Sequence, residues 1–164
     1  MKPLQPPDSI HLKAAHGWLD LDNHEEAFEE LEKIDAPLRG HPDVLEVRWN
    51  IYAAAKKWEY CVEIGGALVR LVPQQTAGWI HRSFALHELE RTQEAYDALM
   101  PALDTFKDEQ LIWYNMACYA CVLGHKTDAR ELLDKAIELG GHAVKAQALN
   151  DPDLLGVWGD RNKD

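Results

Sequence analysis

The chain repeats itself every 34 residues, and no other feature narrows its fold as far. Set in register without a gap, segments 8–41, 42–75, 76–109 and 110–143 put Ala27, Cys61, Ala95 and Ala129 in one column. Leu31, Gly65, Leu99 and Leu133 fill a second column, and Ile34, Leu68, Ala102 and Ala136 a third. A fixed period of this length marks units of two helices. Such a unit cannot bury its apolar face alone, so it stacks on its neighbours. Apolar residues recur at three- and four-residue steps in both halves of each segment, as amphipathic helices require. Helix A is expected over about the first fourteen places of each segment and helix B over most of the rest.

These columns resemble the tetratricopeptide repeat (TPR) family. That pattern wants Trp at place 4, a small residue at place 8, Ala at places 20 and 27, and a large apolar residue at place 24. Segments 76–109 and 110–143 match best, with Trp79 and Trp113 at place 4, and Ala117 at place 8 of the last. Segment 42–75 has Trp58 at the aromatic place 17 and Pro73 at place 32, whereas segment 8–41 is degenerate, with His11 at place 4. The resemblance implies an all-α fold: a right-handed α-solenoid of four helix-turn-helix TPR units over 8–143. A short tail over 1–7 precedes it. A C-terminal capping helix and tail over 144–164 is expected to cover its open end, with Leu154, Leu155 and Trp158 packing down.

Punctuation supports this division. Asp22-Asn23 separates the first two helices, and Thr92 and Thr127 are placed to cap later B helices. Pro42 suits a first helical turn, and Gly140-Gly141 closes the last B helix. Pro101 falls inside the third B helix and is expected to kink it. In segment 42–75 the large Trp49 stands at place 8, while Gly65 and Cys61 stand at places 24 and 20. Bulk has moved from helix B to helix A, and the expectation is a Trp49 indole filling the space over Gly65.

Charge narrows the partners. Asp and Glu number 28 against 17 Lys and Arg, a formal net charge of −11. A nucleic-acid partner needs basic side chains to neutralise phosphates, and an anionic membrane surface needs them too. Neither is expected. The opening residues lack the apolar core of a signal peptide, and no stretch approaches the roughly 18 apolar residues of a membrane span. Three cysteines in no disulfide spacing fit a reducing, cytoplasmic setting.

Few residues point to chemistry. Cys118 and Cys121 form a C-x-x-C, with His81 and His87 on the preceding A helix. Four soft ligands would suit zinc. Redox pairs of this kind lie at a helix N-terminus, where the dipole lowers the thiol pKa, but this pair lies mid-helix. Reduced, metal-free packing residues are therefore expected, with a metal or thiol-redox protein as an alternative. Arg48 and Arg82 share place 7 and are expected to form ion pairs between helices, with Glu63 or Asp97 in range, rather than a ladder for an acidic peptide. The run Glu25, Glu26, Glu29, Glu30, Glu32 is expected to be a solvated outer face. There is no G-x-S-x-G, no phosphate-binding Gly-rich loop and no H-E-x-x-H, so no enzyme and no cofactor are expected.

The family resemblance implies a concave face built from A helices, on which members bind an extended or helical peptide. The residues it assigns to that groove include His16, Leu19, Asn50, Ile80, Phe84, His87, Tyr114 and Asn115. Members that clamp the carboxylate tails of large chaperones use Lys, Asn and Arg at set places. Here those places hold Leu12, His16, Val47, Ala77 and His81, or Glu46, Asn50, His81, Leu111 and Asn115, which lack the basic residues. The leading expectation is a cytoplasmic protein–protein interaction module with a polypeptide partner; a homo-oligomer remains open. The alternative is a chaperone for secreted proteins, since small acidic chains of this family resemble type III secretion chaperones. Those usually carry a longer helical N-terminal arm.

Overall fold

The computed structural model describes residues 2–158, in which every regular element is helical. In chain order these are α1 (Asp8–Asp20), α2 (His24–Glu32), α3 (Pro42–Ala54), α4 (Trp58–Leu71), α5 (Thr76–Glu88) and α6 (Thr92–Leu99). There follow α7 (Ala102–Thr105), α8 (Gln110–Val122), α9 (Lys126–Leu149) and α10 (Leu155–Trp158). Short 3-10 turns occupy Ala36–Leu38 and Pro152–Leu154. Residues 1 and 159–164 of the expected tails lie outside the described part. Contacts group the chain into two compact units, Met1–Arg82 and Ser83–Asp164, with α5 running through the boundary.

The A helices begin at Asp8, Pro42, Thr76 and Gln110, and the B helices at His24, Trp58, Thr92 and Lys126, in step with the sequence period. The turn between them explains this regularity. Asp22, Lys56, Glu90 and Gly124 hold the same place and all have positive φ, at 58°, 54°, 61° and 84°. The amide after each bonds back to a carbonyl five residues earlier: Asn23 to Trp18, Lys57 to Tyr52, Arg91 to Leu86 and His125 to Ala120. That is the Schellman closure, which satisfies carbonyls orphaned at a helix end and turns the chain back on itself. Three of the four turns use a residue with a Cβ, at a cost of about 1–2 kcal/mol each.

Caps at the B helices differ from the sequence expectation. Asn23 accepts from the Glu26 amide at 3.2 Å and caps α2. Thr92 and Thr127 do not cap, because the helices already include them and the preceding Arg91 and His125 hold the N-cap places. B-helix ends vary more. Pro101 divides the third B helix into α6 and α7. Gly141 interrupts α9 with φ 64° and ψ −147°, a conformation that a residue with a Cβ avoids. Trp79 and Trp113 donate their indole N–H at 3.0 Å to the carbonyls of Pro73 and Lys107, tying each A helix to the loop before it.

In the first unit, α1 to α3 enclose a core of Ala15, Ala27, Leu31, Ile34, Val44, Val47 and Ile51, with Leu12, Trp18, Leu19 and Phe28 packed against it. Buried Asp8 accepts from the Asp35 amide at 2.8 Å and fastens the start of α1. Arg48 pairs with Glu32 at 3.1 Å rather than with Glu63, and Glu32 is also held by Arg39 at 2.7 Å. Trp49 is buried, but the atoms nearest a side chain at Gly65 belong to Arg82, not to Trp49. A Cβ on Gly65 would lie 2.6 Å from the Arg82 amide nitrogen, and one on Gly78 2.7 Å from the Val69 nitrogen. The two glycines therefore let α4 and α5 meet backbone to backbone. Cys61 keeps the expected link to Trp49, its thiol donating to the Trp49 carbonyl at 3.7 Å.

In the second unit, α8 packs most extensively on α9, and its buried face carries Ile112, Met116, Ala117 and Ala120. After α9 the chain folds back, and the Pro152–Leu154 turn and α10 pack on α8. Leu154 and Val157 are buried and Trp158 is half-buried, its indole donating to the Ala148 carbonyl at 2.9 Å, whereas Leu155 is 63% exposed. The helical three-residue step puts 154 and 157 on one face and turns 155 outward.

Two substitutions test this account. Gly65→Ala is expected to overpack the α4–α5 crossing and lower stability by about 1–3 kcal/mol. An unchanged urea midpoint would remove the reason given for the glycine. Glu90→Gly relieves a left-handed residue while adding chain entropy to the unfolded state. It is expected to raise stability by about 0.5–1 kcal/mol, read from the same denaturation curve. A loss would contradict the strain assigned to the turn.

Candidate functional site

The residues expected to line a binding face are found at different depths. In the first unit His16 is exposed on α1, while Leu19, Asn50 and Ile80 are half-buried on α1, α3 and α5. Leu19 spends part of its surface on the core of that unit. In the second unit Phe84 and His87 are half-buried on α5 and Asn115 is half-buried on α8. Tyr114 is only 6% exposed.

The chain's own C-terminal segment covers Tyr114. The phenol donates to Asp151 at 2.6 Å. The same carboxylate oxygen accepts a weak bond from the Cys118 thiol at 3.8 Å, and the other oxygen accepts from the Asp153 amide at 3.0 Å. His87 donates through Nε2 to Asp153 at 3.1 Å, and its Nδ1 lies 3.0 Å from the Thr92 hydroxyl. The His87 ring packs at 5.0 Å on Tyr119, whose hydroxyl donates to buried Ser83 at 3.3 Å. The structure thus brings His87, Tyr114 and Cys118 together around two aspartates. The Asn-Asp-Pro-Asp stretch marked a helix break in the sequence. That one aspartate would cap the turn and also accept from Tyr114 depends on where the chain returns in space.

This setting decides the acid–base character of the cluster. Burial, and then the Asp151 carboxylate, push the Tyr114 phenol and the Cys118 thiol well above their ordinary ranges. Burial raises the Tyr119 phenol as well, and the Cys61 thiol to about 11. All three cysteines are buried free thiols. A neutral thiol beside a carboxylate is a poor nucleophile, since the thiolate is the reactive form. Among the described residues no three His, Cys, Asp or Glu side chains group as metal ligands would. No described helix is long and apolar enough to cross a membrane.

Three features were not visible in the sequence. His81 stacks on Trp49 with centroids 3.9 Å apart and planes 8° from parallel. Its Nε2 is buried without a hydrogen-bond partner, and burial pushes its pKa down to about 4. On the first unit, Phe28, Tyr52 and Tyr60 form an aromatic row, with centroids 6.3 Å and then 5.1 Å apart. A crevice of about 530 Å³ opens beside it. The acidic run on α2 is only partly solvated: Glu30 pairs with Lys33 and His11, and Glu32 with Arg39 and Arg48. Glu25, Glu26 and Glu29 remain exposed.

His81 predicts a pH dependence. An unfolded histidine titrates near 6.5, so between about pH 6.5 and 4 the unfolded chain binds more protons than the folded one. Its contribution to stability is constant above that window and falls as pH drops through it, by up to about 3 kcal/mol. His81→Phe keeps a ring on Trp49 and is expected to flatten this part of the slope in urea melts at pH 7 and pH 5. An identical slope in the variant would show that His81 is not the group responsible.

No family model matches the chain, and no curated protein matches it in sequence. Solved structures do match. A crystal structure of MamA superposes with a TM-score of 0.77 at 14% identity, over 94% of this chain and 82% of that one. TTC0263, a thermophilic TPR protein from Thermus thermophilus, gives 0.73 at 17% identity, over 92% and 82%. YrrB, described as a TPR protein with an unusual peptide-binding site, gives 0.65 at 13% identity, over 93% and 86%. Identities this low speak to architecture, and together with the 34-residue register of helix starts they show that this chain has the TPR-type fold, an all-α solenoid.

Proposed function

We propose that the chain is a non-enzymatic interaction module that holds a polypeptide against the inward faces of its A helices. The observation that carries this reading is the apolar surface of α5. Ile80 and Phe84 stand one helical turn apart and are both half-buried, with His87 one turn further on. Aromatic residues in such settings are enriched among binding hot spots. His16, Leu19, Asn50 and Asn115 add polar and apolar contacts, while Tyr114 acts from beneath by holding Asp151 in place. The fold likeness supports the reading, and YrrB provides a TPR protein described by its peptide-binding site. Units 8–41, 42–75, 76–109 and 110–143, with 144–164 as cover, are the divisions this proposal uses.

Catalysis is left out of the reading because the sequence holds none of the catalytic motifs named above. Two glutamates of α2 sit in ion pairs, and the buried thiols are held neutral. The formal charge of −11 supports a protein partner over a nucleic acid.

A pull-down from the cell of origin tests the proposal. Phe84→Ala with Asn115→Ala is expected to lose partner capture by more than about 2 kcal/mol, the scale of a hot spot. Circular dichroism should stay that of the parent. Capture by the parent is expected to survive moderate salt, since apolar contacts carry it. Unchanged capture by the folded double variant would overturn the assignment of this face.

A further inference from the structure

The first unit carries a second surface, separate from the inward helix faces and independent of the reading above. The crevice of about 530 Å³ is walled by Phe28, Ile51 and Tyr52, with Glu25 and Glu29 on its α2 side and Lys57 at the start of α4. Its volume falls within the range of ligand sites. Glu25 and Glu29 are one helical turn apart and exposed, and no hydrogen bond or ion pair among the described residues takes up either carboxylate. Like charges at this spacing repel by a few tenths of a kcal/mol, which the helix dipole at Glu25 and the Lys33 charge near Glu29 offset. The rings beside them are already cation acceptors. The Arg48 guanidinium lies 5.7 Å from the Phe28 centroid, and the Lys57 ammonium 5.9 Å from that of Tyr52. Both distances fall within the reach of the cation–π attraction.

We propose that this crevice is a binding site for an arginine side chain of a partner polypeptide, with the guanidinium held by Glu25 and Glu29 and its flat face on the aromatic row. A guanidinium meets the demands of the site better than an ammonium. It presents a planar fork of donors to two carboxylates and stacks on a ring at the same time. Among the residues that line the crevice the two carboxylates outnumber the Lys57 ammonium, and Arg48 beside it is paired with Glu32. Lys57 is exposed on a flexible stem and swings clear as the guest enters.

Nuclear magnetic resonance titration of the full chain tests this, with N-acetyl-arginine methylamide as the probe and its citrulline analogue as the neutral isostere. The arginine probe is expected to give saturable shifts confined to residues 24–29 and 51–57, and the citrulline probe none. Glu25→Gln with Glu29→Gln changes only exposed groups and should leave the fold intact. It is expected to weaken binding about tenfold, and Tyr52→Leu about fivefold, the effect of roughly 1 kcal/mol. Equal response to citrulline overturns the proposal. So does binding that the double glutamine variant leaves unchanged. Non-saturating shifts spread over acidic residues of every helix would also overturn it, since they mark unspecific ion pairing. Loss of this site would leave partner capture through Phe84 untouched, so the two proposals fail separately.

Discussion

The turn that joins each A helix to its B helix sets the geometry on which the rest is built. It places a left-handed residue at Asp22, Lys56, Glu90 and Gly124 and closes with the same backward hydrogen bond each time. A turn this tight forces the two helices to lie antiparallel and close, so the residues between them must be small. Ala27, Cys61, Ala95 and Ala129 are all buried to 0% exposure at the place where that packing is closest. Strain accepted at three of the four turns is offset by the burial it makes possible, at about 25 cal/mol for each Å² of apolar surface. Nothing comparable governs the far end of a B helix. Those ends accordingly differ: Glu32, Leu71, the break at Pro101 and the break at Gly141.

Inside this frame the buried polar groups sort into two kinds. One set in the second unit is connected, with Asp151 and Asp153 receiving bonds from Tyr114, Cys118 and His87. A buried network of this sort is strong when every member is satisfied, because the low local dielectric strengthens each bond. It also closes the face of α8 that carries Tyr114, so a partner at the proposed inward face would meet α5 and the rim of α8. His81 in the first unit is the other kind. It trades a hydrogen bond at Nε2 for a flat contact with Trp49, and stays neutral as a result. The Trp49 indole stacks on this ring, while the atoms nearest a side chain at Gly65 are those of Arg82.

The two proposed surfaces follow from different chemistry. The α5 surface proposed to meet a polypeptide carries Ile80 and Phe84, and a partner there would gain by leaving water. The crevice on α2 is aromatic and negatively charged, and its guest gains from charge and π contact. Both depend on residues that the fold holds only in part, which leaves surface for another molecule.

How much was legible from the residues alone follows from what each feature depends on. The period, the helix starts and the break at Pro101 come from local rules: apolar spacing, turn chemistry and a missing amide proton. These act within a few residues, so the sequence determined them. It also determined the column of small residues, because any two-helix unit of this turn length needs one. What only the tertiary structure decided are the meetings between distant positions. Gly65 lies under the backbone of Arg82, Arg48 pairs with Glu32, Thr92 serves His87 rather than a helix end, and Asp151 reaches Tyr114. The sequence names the candidates for each such meeting. The choice among them rests on how closely two backbones approach and where the chain returns, and side-chain periodicity does not encode either.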